Sequence, residues 1–367
     1  MVEWKTIGDI VKRNKGIPIT AGQMSELNSP DGNIRVFAAG QTIADIDEAN
    51  LPKGCAHKKP SIIVKSRGYI DFEFYDKPFT HKNEMWSYSF DDFEICKFIY
   101  YYLTTKTEEF RKKARANSVK LPQLCVADTD NYIIPVPSLE EQKRIVGILD
   151  TFTDSIENLK QQIAQRRKQY EHYRDQLLDL GGKEGVEMKT LGEIGEICMC
   201  KRIMKNQTAE SGEVPFFKIG TFGSLPDAFI SKTLFEEYKS KYSYPKKGDI
   251  LISAAGTIGK SVIFDGEDAY FQDSNIVWID NDETKVSNAF LRYFYQVAKW
   301  KTDGGTIKRL YNYNLKHTSI SIPPLSEQQR IVSILDTFEA SISNLEAQLA
   351  QRQKQYEYYR NQLLTFE

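Results

Sequence analysis

The sequence predicts an α+β fold: two mixed α/β blocks separated by two long antiparallel coiled-coil helices with pseudo-two-fold symmetry. Three observations predict it. One 40-residue segment is written twice, at 139–178 and 325–364. Each copy carries an apolar seam at alternating steps of four and three. Ahead of each copy lies a stretch of dissimilar sequence with short β-branched runs.

The repeat ranks first, because self-similarity fixes the plan before any local reading does. LEEQKRIVGILDTF from Leu139 to Phe152 recurs as LSEQQRIVSILDTF from Leu325 to Phe338. The match continues without a gap to Leu178 and Leu364, and 28 of the 40 aligned positions are identical. The halves also open alike, with Val2–Ile10 parallel to Val186–Ile194. Between these flanks the halves diverge. The divisions are therefore 1–137 (first block), 138–180 (first helix), 181–323 (linker and second block) and 324–367 (second helix).

The first seam is Ile145, Leu149, Phe152, Ile156, Leu159 and Ile163, then Tyr170, Tyr173 and Leu177. The second is Ile331, Leu335, Phe338, Ile342, Leu345 and Leu349, then Tyr356, Tyr359 and Leu363. This is heptad spacing over five heptads. Helices with like seams pack most simply on each other, and the long second block lets its helix return antiparallel. Arg166 and Arg352 stand at equivalent seam positions. They either fix the register or snorkel to solvent. Prolines at 135, 137, 323 and 324 precede the helices. Ser138-x-x-Glu141 and Ser326-x-x-Gln329 are candidate capping boxes at non-equivalent positions. Gly181-Gly182 ends the first helix and starts the linker.

The divergent blocks, roughly 16–137 and 200–323, read as short strands with a terminal helical pattern. Ser61–Lys65 and Asp249–Ser253 are strand-like; Phe93–Thr104 and Ser287–Trp300 are helical. Ser66-Arg67-Gly68-Tyr69-Ile70 aligns with Ala254-Ala255-Gly256-Thr257-Ile258. Phe79–Trp86 aligns with Phe271–Trp278, with Asn83 opposite Asn275. A glycine-turned hairpin followed by a strand is expected in both.

Composition limits the classes. A chain of 367 residues can bury two cores. No apolar run reaches the ~18–20 residues of a membrane span, and the N-terminus lacks a hydrophobic signal core. Five cysteines at irregular spacing fit reduced thiols. A cytoplasmic location is expected. The net charge of −1 opposes a simple nucleic-acid binder. Basic clusters do occur at 111–115, 201–205, Lys246-Lys247 and Lys308-Arg309.

The motif Pro324-Leu325-Ser326-Glu327-Gln328-Gln329-Arg330-Ile331-Val332 resembles the S (specificity) subunit of type I restriction–modification enzymes. So do Lys247-Gly248-Asp249-Ile250-Leu251-Ile252-Ser253 running into Gly256-Thr257-Ile258-Gly259-Lys260, and the duplicated order of blocks. The resemblance covers essentially the whole chain. It implies two target-recognition domains, each reading one half of a bipartite, asymmetric site in double-stranded DNA. It implies docking of two modification (methyltransferase) subunits, with restriction (ATP-dependent nuclease/translocase) subunits joining them. No catalysis and no cofactor is expected in this chain; S-adenosylmethionine, ATP and Mg²⁺ belong to the partner subunits. Block one departs from the pattern, since its hairpin lacks the second glycine and the lysine of Gly259-Lys260.

Ala254–Ser261 fits a relaxed phosphate-loop pattern, but Val262-Ile263-Phe264 follows as a strand where a helix is needed. A hairpin presenting Thr257 and Lys260 to DNA is the better reading. Cys198-Met199-Cys200 lacks the further ligands of a metal site. The four histidines lack catalytic partners. Gly304–Asn314 mixes basic, aromatic and amide groups able to hold phosphates and read bases; Arg115–Leu121 is its counterpart in block one. The candidate DNA contacts are Arg67, Lys120, Thr257, Lys260, Lys308, Arg309, Tyr311 and Asn312. The rival reading is a coiled-coil adaptor whose blocks bind protein.

Overall fold

The computed structural model describes residues 2–118, 120–304 and 308–366. By contact the chain divides into two units: residues 1–161 with 346–367, and residues 162–345. Each unit therefore contains one block and part of both repeated helices.

Unit 1 opens with β1 (Glu3–Thr6), α1 (Ile7–Ile10), β2 (Arg13–Lys15), α2 (Ala21–Leu27), β3 (Ile34–Phe37) and β4 (Ile43–Ile46). Then come β5 (Ser61–Lys65), β6 (Asp71–Tyr75), β7 (Phe79–His81), β8 (Trp86–Ser89), α3 (Phe93–Thr105), α4 (Thr107–Asn117), α5 (Val126–Asp130) and β9 (Ile133–Val136). The first repeated helix follows as α6 (Leu139–Leu178). Unit 2 has β10 (Glu187–Thr190), α7 (Leu191–Ile194), β11 (Gly195–Cys198), β12 (Val214–Phe217), β13 (Phe229–Ile230), α8 (Lys232–Lys241) and β14 (Ile250–Ser253). It continues with β15 (Ser261–Ile263), β16 (Tyr270–Phe271), β17 (Ile276–Asn281), α9 (Asn288–Val297), α10 (Asn312–Lys316), β18 (Ser319–Ile322) and α11 (Leu325–Leu363).

The two blocks share one topology despite their unlike sequences. Unit 1 has a sheet ordered β2-β8-β5-β6 and another ordered β4-β3-β7; unit 2 has β11-β17-β14-β15 and β13-β12-β16. The parallel pair falls at the same place, β3 with β7 and β12 with β16. The similar openings of the two halves also find a reason. β1 pairs antiparallel with β9, Lys5 opposite Ile134, and β10 pairs with β18, Lys189 opposite Ile320. Each block is thus closed by a strand that runs directly into its repeated helix. Thr6 caps α1, accepting from Asp9 N at 3.2 Å, and Glu193 answers Thr190 N at 2.7 Å at the start of α7.

The repeated helix motif reads as a set of anchors. Ile145 and Leu149 are fully buried in the unit 1 core, and Ile331 and Leu335 in that of unit 2. Ile163 is buried, while Phe152, Ile156, Leu159, Phe338, Ile342, Leu345 and Leu349 are half-buried. Glu141 pairs with Arg144, and Glu327 with Arg330, at 2.7 Å on the outer face. Gln142 and Gln328 turn inward and donate to the carbonyls of Pro137 and Pro323 at 2.8 and 2.9 Å. Tyr101 of α3 donates to Asp150, and Tyr293 of α9 to Asp336, both at 2.5 Å. The aspartate of the repeated Leu-Asp-Thr-Phe thereby ties α3 to α6 and α9 to α11.

Within each unit the two repeated helices run antiparallel. Tyr359 stacks on Phe152 at 5.4 Å in unit 1, and Tyr173 on Phe338 at 5.4 Å in unit 2. Arg352 lies over Phe152 at 5.6 Å and Arg166 over Phe338 at 5.8 Å. The polar seam position is therefore a cation–π contact with the facing helix. Two local expectations are corrected. Ser138 does cap α6, accepting from Glu141 N at 3.3 Å. Ser326 does not cap α11: the helix already begins at Leu325, and the Pro324 carbonyl accepts from the amides of Glu327 and Gln328. Also, α6 stops at Leu178, ahead of Gly181-Gly182.

Candidate nucleic-acid interface

In unit 2, β14 and β15 form an antiparallel hairpin with Ile252 opposite Ser261. Its turn needs glycine twice, Gly256 at φ 64° and Gly259 at φ 81°. Ser253 Oγ closes the turn by donating to the carbonyls of Thr257 and of Lys260. Strand, turn and returning strand leave no helix N-terminus at Ser261, so the phosphate-loop pattern has no phosphate-loop geometry.

The base of this hairpin is crossed by the segment that leads to α10. Leu310 N donates to Ala254 O at 2.8 Å, and Ala255 and Arg309 form an isolated antiparallel bridge. Asp303 and Arg309 exchange backbone hydrogen bonds of 2.8 and 3.1 Å. Arg309 Nη2 donates to Asn275 Oδ1. Asn275 itself is held by its carbonyl, which accepts from Ala254 N at 2.7 Å. The preceding Ser274 is the one non-glycine residue at positive φ, 54°, among the described residues. Thr257, Lys308, Tyr311, Asn312 and Tyr313 are exposed around this corner.

Unit 1 builds the same corner. β5 and β6 pair with Lys65 opposite Asp71, and Gly68 turns the hairpin at φ 75°. Leu124 N donates to Ser66 O at 2.8 Å, and Arg67 bridges Gln123. Leu124 and Leu310 are both buried beneath their hairpins. Gln123 is therefore the counterpart of Arg309. Arg67 and Gln123 are exposed, and so is Lys120. The block-one hairpin, although it lacks the Gly-Lys pair, has the same frame.

Placement changes the weight of several candidates. Lys260 Nζ donates to Phe222 O at 2.5 Å, so the ammonium fastens the hairpin to the neighbouring loop. Half of the basic cluster at 111–115 is neutralised, Arg111 by Glu108 at 2.6 Å and Lys113 by Glu109 at 3.3 Å. Lys246 meets Asp280 at 2.9 Å. Lys112, Arg115, Lys120 and Lys308 have no carboxylate partner among the described residues. Cys200 is buried, which pushes its thiol up to about 12, and burial also raises Cys198. Part of the 304–314 stretch, residues 305–307, and Val119 of the 115–121 stretch lie outside the described residues.

Residues 1–166 and 183–353 match the family described as the type I restriction modification DNA specificity domain. The chain belongs to this family. It is 44% identical, over 389 residues, to a putative type I restriction enzyme specificity subunit of Haemophilus influenzae, spanning 100% of this chain and 96% of that protein. It is 29% identical to the EcoR124I/EcoR124II specificity subunit of Escherichia coli, over 100% of this chain and 94% of the other. Among solved structures, the S subunit of a type I restriction–modification system from M. genitalium has the same fold, with TM-score 0.64 and 17% identity over 100% of this chain and 97% of that one.

For a specificity subunit the decisive surface is the one that varies on a constant frame, and the hairpin corner has that character in both units. Of the candidate DNA contacts drawn from the sequence, the structure brings Arg67, Thr257, Lys308, Arg309, Tyr311 and Asn312 to these corners. Sequence reasoning missed Gln123, because Arg115–Leu121 was matched by composition to the wrong part of the loop. Asn275 was visible as the partner of Asn83 in the weak alignment, but its hold on Arg309 was not. No helix among the described residues is long and apolar enough to cross a membrane.

Proposed function

We propose that each unit reads one half of a bipartite, asymmetric site in double-stranded DNA, and that the chain itself is non-catalytic. The carrying observation is the corner built twice from the same backbone hydrogen bonds with different exposed side chains. A constant frame with exchangeable contacts is what sequence reading on two unrelated half-sites requires. Lys120 and Lys308 beside the corners supply phosphate contacts. The repeated helices carry two modification subunits, and restriction subunits join that complex in the cytoplasm. S-adenosylmethionine, ATP and Mg²⁺ serve those subunits. One solved chain with this fold, TM-score 0.58 at 17% identity, comes from work on complex assembly of the type I restriction–modification system, which supports the assembly.

The test is the affinity of the complex with its modification subunits for duplex DNA across a salt series. Phosphate contacts release counterions, so log affinity should fall linearly with log salt, by about 0.9 per contacted phosphate. No measurable DNA affinity at low salt would favour a protein adaptor instead.

A further inference from the structure

The corners differ in where their guanidinium comes from. In an antiparallel bridge the two facing residues project to the same side. Unit 1 places Arg67 on the hairpin strand opposite Gln123; unit 2 places Arg309 on the crossing strand opposite Ala255. Each bridge thus carries one arginine, on opposite strands of the pair.

Apart from Arg115 on α4, which is exposed and likewise without a carboxylate partner among the described residues, these arginines differ from the others in their blocks. Arg13, Arg35 and Arg111 in the first block are paired with Asp130, Asp45 and Glu108. Arg202 and Arg292 in the second are paired with Asp273 and Glu339. Reading a base with any of these would break an ion pair. Arg67 is exposed and has no hydrogen-bonding or ionic side-chain partner among the described residues. Arg309 is held by the neutral amide of Asn275, which leaves its charge uncompensated and fixes its plane. A guanidinium has five N–H donors. With one committed to Asn275, the second hydrogen of Nη2 and those of Nη1 still form a fork. That fork matches O6 and N7 of guanine in the major groove.

Building on the DNA reading above, we propose that Arg67 and Arg309 are specificity-determining residues, each reading one guanine in the half-site of its own unit. Asn275 is the positioning residue for Arg309.

The test maps the methylated sites of complexes carrying the unaltered chain, Arg67→Gln, Arg309→Gln and Asn275→Ala. The unaltered complex should require at least one guanine in each half-site. Arg309→Gln should lower selectivity for one guanine of the second half-site by about tenfold or more, leaving every other position unchanged. Arg67→Gln should do the same in the first half-site only. Asn275→Ala should relax the same position as Arg309→Gln, and less. If a glutamine complex fails to assemble, Arg→Lys replaces it with the same expectation, because lysine keeps the charge and loses the fork. A normal bipartite site left unaltered by all variants overturns the assignment alone. Sites without two half-sequences in the unaltered complex overturn the DNA reading beneath it.

Discussion

Gln328 and Gln142 hold the same place in the repeat and have different work. Gln328 Nε2 donates to Pro323 O and Lys285 O, and its Oε1 accepts from Ser287 N at 2.9 Å, ahead of α9. Gln142 donates to Pro137 O, and its Oε1 is buried without a partner. Gln328→Leu removes the partner of one buried and two part-buried backbone groups and should cost about 2–3 kcal/mol, with ~1–3 kcal/mol for the buried carbonyl and less for the two that water can reach. Gln142→Leu strands one group and removes an unsatisfied one, so its cost should be under about 1 kcal/mol. Denaturant unfolding of both variants checks the contrast; equal costs would contradict it. His81 gives a pH-dependent counterpart. Burial holds its imidazole down at about 4, and its ring stacks on His57 at 5.8 Å. The ordinary value is about 6.5. The folded value is the lower one, so this contribution is fully present above pH ~6.5 and is lost as pH falls through about 4. The unfolding midpoint should drop across that window, and His81→Gln should flatten the drop.

At the scale of the element, the hairpin of unit 2 rests on two glycines with unequal surroundings. A Cβ on Gly256 would meet only Ile219 at 3.5 Å, so Gly256→Ala bears chiefly the positive-φ strain, about 1 kcal/mol. A Cβ on Gly259 would fall on the Trp300 indole. Gly259→Ala should therefore cost about 2 kcal/mol or more and should loosen the corner beside Arg309. Thermal unfolding ranks the two, and a larger loss for Gly256→Ala would contradict the packing. These elements differed in how far the sequence revealed them. The repeated helices were legible nearly to the residue, because heptad spacing records a buried stripe directly. Hairpins at Gly68 and Gly256 were legible because only glycine suits their turns. The crossing strands were not. Each is a single bridge with no periodicity, and α4, which has no counterpart between α9 and α10 among the described residues, shifts the alignment in block one. Ser326 misled for a related reason: a capping pattern says nothing about whether a preceding proline carbonyl already starts the helix.

For the whole molecule, one frame was duplicated and its exposed corners diverged. The match of sheet orders in the two units was invisible in the sequence, since buried strand positions accept any β-branched or aromatic residue of suitable size. Near-neutral net charge is no obstacle to DNA reading here, because Arg111, Lys113 and Lys246 are tied up in ion pairs while Arg67, Lys120, Lys308 and Arg309 at the corners stay uncompensated by carboxylates among the described residues. The central claim is that the two units read independently. Exchanging residues 16–137 for the same block of a related specificity subunit, followed by methylation mapping of the resulting complex, tests it most directly. The account predicts a new sequence in one half-site with the other half-site unchanged. Simultaneous change of both half-sites would contradict it.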